Sequence, residues 1–239
     1  MFFFGLELLI PVVVLGLIVL AVTQVAADRR EPDPTGRRPY AIYLFVVTFI
    51  ALFVALFSLA AVASAVTRLA LPERNPSPII SPGFEPPPGS LTDEPAYEEF
   101  SPYDSNVQHT RQAIQSGLFL LAAGFVLLFH ARRIRDLESD GSLVQIPIRR
   151  GYQAYLYAVC FVAVLVALVA GAFAVFGIFR IAGPGVVGFG SASAERNEGI
   201  VELATSGLLA LAAYGLFRLH WRRAFTLRAG SIEPEPPTA

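Results

Sequence analysis

The sequence predicts an all-α integral membrane protein with five transmembrane helices, four of which form two copies of a helix pair. Three observations lead to this prediction: an apolar composition, five long segments with little charge, and an internal duplication. Hydrophobic residues make up 54% of the 239 residues and charged residues only 15%, which is typical of membrane proteins. We expect two parallel repeats that form a pseudo-twofold four-helix bundle, plus one N-terminal helix.

The duplication is visible at two different offsets. Segment 116–133 is an apolar run closed by His-Ala-Arg-Arg, and segment 206–223, 90 positions later, is an apolar run closed by His-Trp-Arg-Arg. The helix before each of them repeats at an offset of 112 positions, since Arg-Pro-Tyr-Ala-Ile-Tyr-Leu at 38–44 matches Arg-Gly-Tyr-Gln-Ala-Tyr-Leu at 150–156. The chain is therefore one extra apolar segment followed by two copies of a helix pair.

The apolar runs set the expected elements, because about 20 apolar residues in a helix cross a hydrocarbon core of ~30 Å. The expected transmembrane helices are 2–27, 40–70, 112–129, 152–181 and 200–219. The expected organisation is an accessory helix (1–27), a cytoplasmic linker (28–38), repeat 1 (39–134), a cytoplasmic connection (135–149), repeat 2 (150–225) and a disordered tail (226–239). A cleavable signal peptide is the alternative for 2–27, but the segment has no cationic start and is longer than a usual signal core.

A proline-rich loop is expected at 72–107, within repeat 1. Nine prolines in this segment favour extended or polyproline II backbone over helix. Large aromatic side chains are costly to leave in water, so the segment is either a flexible loop or a docking segment for a partner protein. The expected partner-docking residues are Phe84, Tyr97, Phe100 and Tyr103.

Arginine predicts the orientation. All eighteen cationic side chains are arginine, and with five crossings thirteen of them share one face of the membrane. The positive-inside rule places that face in the cytoplasm of a bacterium, so we expect an inner-membrane protein with its N-terminus outside and its C-terminus cytoplasmic. Tyrosines and arginines at this face form the expected lipid interface. They are Arg38, Tyr40, Tyr43, Arg132, Arg133, Arg150, Tyr152, Tyr155, Arg222 and Arg223.

Two histidines occupy equivalent positions of the repeats. As repeat equivalents, His130 and His220 are expected at the same depth in the membrane. That is the arrangement that a haem b held between two helices would need, and haem binding is one alternative. The other is that each ring stabilises the C-terminal end of its helix through the helix dipole. Both are followed closely by Arg-Arg, which favours the second alternative.

For the remaining ionisable groups, the sequence predicts a structural role rather than a catalytic one. We expect Arg180 or Arg111 to form an ion pair with Glu202, at the start of the fifth helix, as a structural link between helices. Cys160 is the only cysteine, so neither an intrachain disulfide nor a cysteine-based metal site is expected. No basic stripe with interleaved aromatics appears outside the helix ends, so we expect no binding of nucleic acid.

The helix ends also carry a family resemblance. The pattern Arg-x-Tyr-x-x-Tyr-Leu opens a long helix, and Leu-His-Trp-Arg-Arg-Ala closes its partner at 219–224. Together they resemble a family of bacterial and archaeal integral-membrane domains of unknown function built from such helix pairs. The resemblance covers about 37–224, and repeat 1 departs from it at Ala131, where tryptophan is expected. It implies an architecture and a prokaryotic source, and no activity.

The sequence contains no catalytic motif, and we expect a non-catalytic scaffold or accessory subunit of a larger membrane assembly, without a cofactor. The expected partners are the lipid bilayer and either another membrane protein or further copies of this chain. Ridges of small residues on the long helices suit close helix packing. Two alternatives remain: a haem-binding redox protein, and a transporter of a small solute or lipid that works between the two repeats.

Overall fold

The computed structural model describes residues 36–71, 102–144, 146–186 and 191–229, together with the single positions Val14 and Ile18. These residues form four α-helices and one 3-10 turn. The helices are α1 (Arg38–Ala70), α2 (Pro102–Ser139), α3 (Ile146–Ala182) and α4 (Ala192–Ala229), with the 3-10 turn at Ser142–Val144. All four helices are long and apolar enough to cross a membrane.

The all-α membrane fold predicted from composition is confirmed, but the predicted count of five helices is not matched. The expected first helix, residues 2–27, lies outside the described residues except for Val14 and Ile18. The described part of the chain is thus the two helix pairs, α1 with α2 and α3 with α4.

The helix α1 ends where its sequence requires. Expected at 40–70, it runs over Arg38–Ala70, with Pro39 in its first turn, where a proline leaves no intrahelical hydrogen bond unmade. Its last residue is followed by Leu71 in an extended conformation (φ −91°, ψ 124°). Leu71 precedes Pro72, and the proline ring disfavours helical backbone at the residue before it.

The other helices run past the apolar segments that predicted them. The helix α2 begins at Pro102, inside the segment expected to be an extended loop, and α4 continues to Ala229, inside the tail expected to be disordered. The two differences have separate causes. Arginine, alanine and leucine favour helix in 222–229, so α4 continues after its sequence stops being apolar. At α2, Pro102 stands at the first helical position, where a proline is favoured, so the helix can begin before the apolar run. The helix α2 ends before Gly141, whose positive φ of 76° suits the residue after a helix end.

The two helix pairs run in the same direction. Near the start of α1, Phe45 lies beside Tyr152, near the start of α3, with ring centroids 5.4 Å apart. At the end of α1, Arg68 contacts Glu198, near the start of α4. The helices α1 and α3 are therefore parallel, and α2 and α4 run opposite to them. We call the end where α1 and α3 begin the arginine-rich end.

The helix α1 is the centre of the bundle. It packs against α2, α3 and α4, and its side chains Phe45, Phe49 and Phe53, one helical turn apart, are almost completely buried. Of its most apolar stretch 44% is buried, compared with 17% for α2. Among the described helices, α2 makes extensive contact only with α1.

This packing differs from the expected pseudo-twofold bundle. Under a twofold axis, the contact of α1 with α4 would be matched by an equal contact of α3 with α2, and the described residues form no comparable one. The physical reason is that the pairs associate side by side: a face of α1 packs against the second pair, while the equivalent face of α3 is left uncovered.

Two glycines allow α3 and α4 to approach closely. A Cβ atom added at Gly177 would lie 2.9 Å from the carbonyl oxygen of Gly199 and from the amide nitrogen of Leu203. A Cβ added at Gly199 would lie 2.9 Å from the carbonyl oxygen of Gly177. Small residues at such crossings let membrane helices gain van der Waals contact along their backbones.

We expect Gly199→Ala to lower the thermal unfolding temperature in detergent, because the new methyl group meets backbone atoms that move only if the helices separate. The cost of such overpacking is about 1–3 kcal/mol. Gly207→Ala on the same helix is the control, since a methyl group added there would meet nothing within 4 Å. That control should unfold at the wild-type temperature or slightly above it. Equal unfolding temperatures for the two variants would contradict the close crossing.

Candidate functional site

The two predicted histidines lie in equivalent contacts, one in each helix pair. His130 on α2 packs against Tyr43 on α1, and His220 on α4 packs against Tyr155 on α3, with ring centroids 5.7 Å and 6.0 Å apart. Because residues 43 and 155 are repeat equivalents, as are the two histidines, both pairs contain the same histidine–tyrosine contact. The contact joins the two helices of a pair near the arginine-rich end.

Both ring nitrogens of each histidine face a partner. Nδ1 of His130 lies 2.8 Å from the carbonyl oxygen of Val126, and Nδ1 of His220 lies 2.9 Å from that of Leu216. A carbonyl only accepts, so each Nδ1 donates and each Nε2 is left to accept. The tyrosine hydroxyls lie 3.4 Å and 3.5 Å from the two Nε2 atoms, which are long hydrogen-bond distances.

An arginine at the start of each long helix ties the two helices of its pair together. Arg37 donates to the Asp140 carboxylate at 2.8 Å and to the Ser142 hydroxyl at 2.9 Å, in the turn that follows α2. Its repeat equivalent, Arg149, donates to the carbonyl oxygen of Leu227 near the end of α4 at 2.7 Å. The sequence predicted only a place at the membrane face for these arginines, although their shared position before the repeated tyrosines was a signal of a shared role.

The predicted lipid-interface residues divide into two groups. Arg38, Tyr152 and Tyr155 are buried in the bundle. The others are exposed at the arginine-rich end: Tyr40, Tyr43, Arg132, Arg133, Arg150, Arg222 and Arg223. One exposed member has a further contact, since the Arg133 guanidinium lies 5.5 Å from the centroid of the Phe129 ring.

Ion pairs join the helices at the opposite end. The expected link between Arg180 and Glu202 is confirmed, with an N–O distance of 3.4 Å and both side chains mostly buried. Its counterpart was missed: Arg68 of α1 binds Glu198 of α4 through two hydrogen bonds of 2.7 Å and 3.1 Å. The carboxylates lie four residues apart on one face of α4, so α4 receives one arginine from each of the parallel helices.

Most of the predicted partner-docking residues fall in a part of the chain that the structure does not describe. Phe84, Tyr97 and Phe100 lie outside the described residues, and the backbone at Tyr103 belongs to the first turn of α2 rather than to the loop. Two surface cavities are defined on α2. One, of about 400 Å³, lies near its start beside Thr110 and Arg111, and one of about 510 Å³ lies beside Phe129, Arg132 and Arg133.

Ion-pair strength is testable by a double-mutant cycle. We expect Arg180→Ala and Glu202→Ala to show a coupling of roughly 1 kcal/mol in unfolding free energy, because this pair is mostly buried between α3 and α4. The matched control is Arg133 with Asp136, an exposed pair on α2 separated by 3.8 Å. Its coupling should be close to zero, and a coupling equal to that of the first pair would contradict a structural link at Glu202.

The turn after α2 gives a pH-dependent prediction. The pKa of the Asp140 carboxyl lies below its usual value because the Ser142 hydroxyl and amide donate to it and Arg37 lies beside it. A carboxylate with a lowered pKa stabilises the fold above its unfolded pKa, and that stability is lost as pH falls through the folded pKa. In an NMR titration that follows the amide of residue 142, Ser142→Ala should raise the Asp140 pKa, because it removes the hydroxyl hydrogen bond that lowers this pKa most. An unchanged pKa in Ser142→Ala would contradict this turn.

Comparison of the chain with protein-family models gives no match, and comparisons with curated proteins and with solved structures give none either. The resemblance to a family of prokaryotic membrane domains therefore stays a prediction. Function is inferred from contacts within this chain: histidine–tyrosine pairs at one end of the bundle and arginine–glutamate pairs at the other.

Proposed function

We propose that the chain is a non-catalytic scaffold or accessory subunit of a larger membrane assembly. The observation that supports this most is that ionisable side chains on the long helices contact side chains of other helices. Arg68 and Arg180 bind Glu198 and Glu202, and His130 and His220 contact tyrosines of their own pairs. These groups hold helices together rather than converge on one cavity. Across the residues that the structure defines, no three metal-binding side chains cluster.

Uneven burial supports the same proposal. Large apolar side chains cover most of the outer surface of α2, among them Leu118, Leu121 and Phe125, and each is more than half exposed. A helix held to the bundle on one side presents the rest of its surface to lipid or to a neighbouring membrane protein. A scaffold needs such surface, whereas an enzyme needs a polar cavity.

The proposed setting is the bacterial inner membrane, with the arginine-rich end in the cytoplasm and residues 2–27 as a fifth helix. Thirteen of the eighteen arginines then lie on the cytoplasmic side. Each exposed arginine near anionic head groups contributes about 1 kcal/mol to membrane association. The proline-rich segment 72–101 lies outside the cell in this orientation, where the docking aromatics are available to a partner.

The haem alternative has less support. A haem held by two histidines needs both rings to face one space, with one nitrogen of each ring free for iron. His130 and His220 lie on α2 and α4, which are not neighbours within the described bundle. Each ring already has a carbonyl at Nδ1 and a tyrosine hydroxyl near Nε2.

The transport alternative also has less support. It requires a polar path between the two repeats, yet the side chains where α1 meets α3 include the apolar Phe45, Phe49, Val162 and Val166. The two cavities described above lie on the surface of α2, away from that meeting point.

The proposal is tested by replacing the four docking aromatics together: Phe84→Ser, Tyr97→Ser, Phe100→Ser and Tyr103→Ser. Wild type purified in gentle detergent from its native membrane should retain one other membrane protein in a fixed stoichiometric ratio, measured by quantitative mass spectrometry. The substituted chain should lose most of that partner, because the aromatic contacts supply much of such an interface. The control is Ile178→Ser, which replaces an exposed apolar side chain of α3 outside the docking segment; it should reach the membrane at wild-type levels and keep the partner.

Two results would contradict the scaffold proposal. One is a wild-type chain that retains no other protein at a fixed ratio under these conditions. The other is a Soret band in the purified protein that disappears in His130→Ala with His220→Ala, which would establish the redox alternative.

A further inference from the structure

Comparison of equivalent residues in the two repeats separates three faces on the long helices α1 and α3. Positions buried in both helices face their own partner helix. Leu44 and Leu156 form one such pair, and Thr48 and Cys160 form another. The Cys160 thiol lies 3.9 Å from the carbonyl oxygen of Phe217 on α4, which places this face toward the partner helix.

The second face is covered on α1 and open on α3. Phe49 is 0% exposed, whereas its equivalent Phe161 is 54% exposed; Leu56 is 7% exposed, whereas its equivalent Leu168 is 65% exposed. We call this the forward face, with Phe45, Phe49 and Leu56 on α1 and Tyr157, Phe161 and Leu168 on α3. On α1 the forward face packs against the second helix pair.

The third face shows the reverse pattern. Tyr155 is 4% exposed, whereas its equivalent Tyr43 is 54% exposed, and the buried residues Val162 and Val166 correspond to the exposed residues Ile50 and Val54. We call this the rear face, with Tyr152, Tyr155, Val162 and Val166 on α3 and Tyr40, Tyr43, Ile50 and Val54 on α1. Inside the chain, the forward face of α1 meets the rear face of α3.

Residue types are retained on both uncovered faces. The forward face is Phe, Phe, Leu where it is covered and Tyr, Phe, Leu where it is open. The rear face is Tyr, Tyr, Val, Val where it is covered and Tyr, Tyr, Ile, Val where it is open. The forward face of α1 and the rear face of α3 pack against each other, with the Phe45 ring stacked 5.6 Å from the Tyr155 ring. The two open faces, on α3 and α1, therefore have nearly the same side chains as two faces that are known to fit together.

We propose that a second copy of this chain covers these faces. The forward face of α3 in one copy packs against the rear face of α1 in the other copy. This contact between copies repeats the contact that joins the two helix pairs within each copy. Tyr157 of one copy meets Tyr40 and Tyr43 of the other, as Phe45 meets Tyr152 and Tyr155 within the chain at 5.4 Å and 5.6 Å. Aromatic rings and small apolar side chains at such a contact gain packing energy in lipid.

The outer helix α2 supports the same assembly. Leu209 on α4 is buried in the cluster that α1 helps to form, whereas its equivalent on α2, Phe119, is exposed. Within one copy, α4 packs against α1. In the assembly, α2 of the second copy packs against α3 of the first copy in the equivalent position. If two copies are related by a twofold axis, each forward face of α3 meets the rear face of α1 of the other copy, and both open surfaces of each copy are used.

This inference rests on the proposed scaffold function and adds to it the identity of one partner, the chain itself. The test uses two differently tagged full-length copies in one membrane, both with Cys160→Ala. One copy carries Tyr40→Cys and the other carries Tyr157→Cys. A short bis-maleimide should link them into a product that contains both tags, because the equivalent rings within the chain lie 5.4 Å apart.

The control pair is Val66→Cys with Ile178→Cys. These residues are repeat equivalents that are exposed in both helices, so they face lipid in both repeats and should not be linked. Equal linking of the control pair would show random collision and overturn the proposal. A Tyr157→Cys copy that is linked only to a different protein would overturn it as well.

A second measurement does not depend on introduced cysteines. Energy transfer between labelled copies in liposomes should report self-association that weakens about tenfold in Phe161→Ala with Leu168→Ala, and stays unchanged in Ile178→Ala. Transfer that is absent for wild type at high protein density would overturn the proposal.

The inference and the scaffold function fail differently. Linked copies without any other stoichiometric protein would support the self-association and contradict the accessory role. A retained partner protein without linked copies would support the accessory role and contradict the self-association.

Discussion

The structure depends on one row of aromatic side chains. Phe45, Phe49 and Phe53 lie one turn apart on α1, and all three belong to the buried apolar cluster that joins the two helix pairs. Lipid tails are as apolar as these rings, so burial alone does not bring membrane helices together. The stabilising contribution is close packing, here with Phe45 beside Tyr152 and Tyr155. A smaller side chain in this row would weaken the contact between pairs without affecting the contacts inside each pair.

Polar contacts lie at the two ends of the bundle, and the two ends use different side chains. Histidine with tyrosine and arginine with turn or backbone oxygens hold each pair together at the arginine-rich end. Arginine with glutamate holds α4 to both long helices at the other end. Between these ends the described helices touch mainly through apolar side chains, and the glycines Gly177 and Gly199 allow the close crossing at the arginine–glutamate end. Charged groups inside a membrane are costly, and in the described bundle these ion pairs and turn contacts lie toward the two ends.

The sequence predicted α1 to within two residues, because Pro39 and Pro72 mark its two ends and the apolar run fills the space between them. It did not predict the ends of α2 and α4, because hydropathy marks the membrane and not the helix. The link between Arg180 and Glu202 was predicted from their shared place at one membrane face. The link between Arg68 and Glu198 was not predicted, because it joins the two repeats and the sequence does not show how the repeats pack. Arg38 and Arg150 are equivalent in sequence, yet one is buried and one exposed, because burial depends on which neighbour each helix meets.

The length of α2 and α4 has a mechanical consequence. Each has 38 residues, or about 57 Å at ~1.5 Å per residue, against a hydrocarbon core of ~30 Å. No break interrupts either helix, so the part outside the membrane moves rigidly with the part inside it. Arg37 and Arg149 also tie the far ends of α2 and α4 to the long helix of the same pair. A change of tilt therefore has to move both helices of a pair together, as one rigid unit.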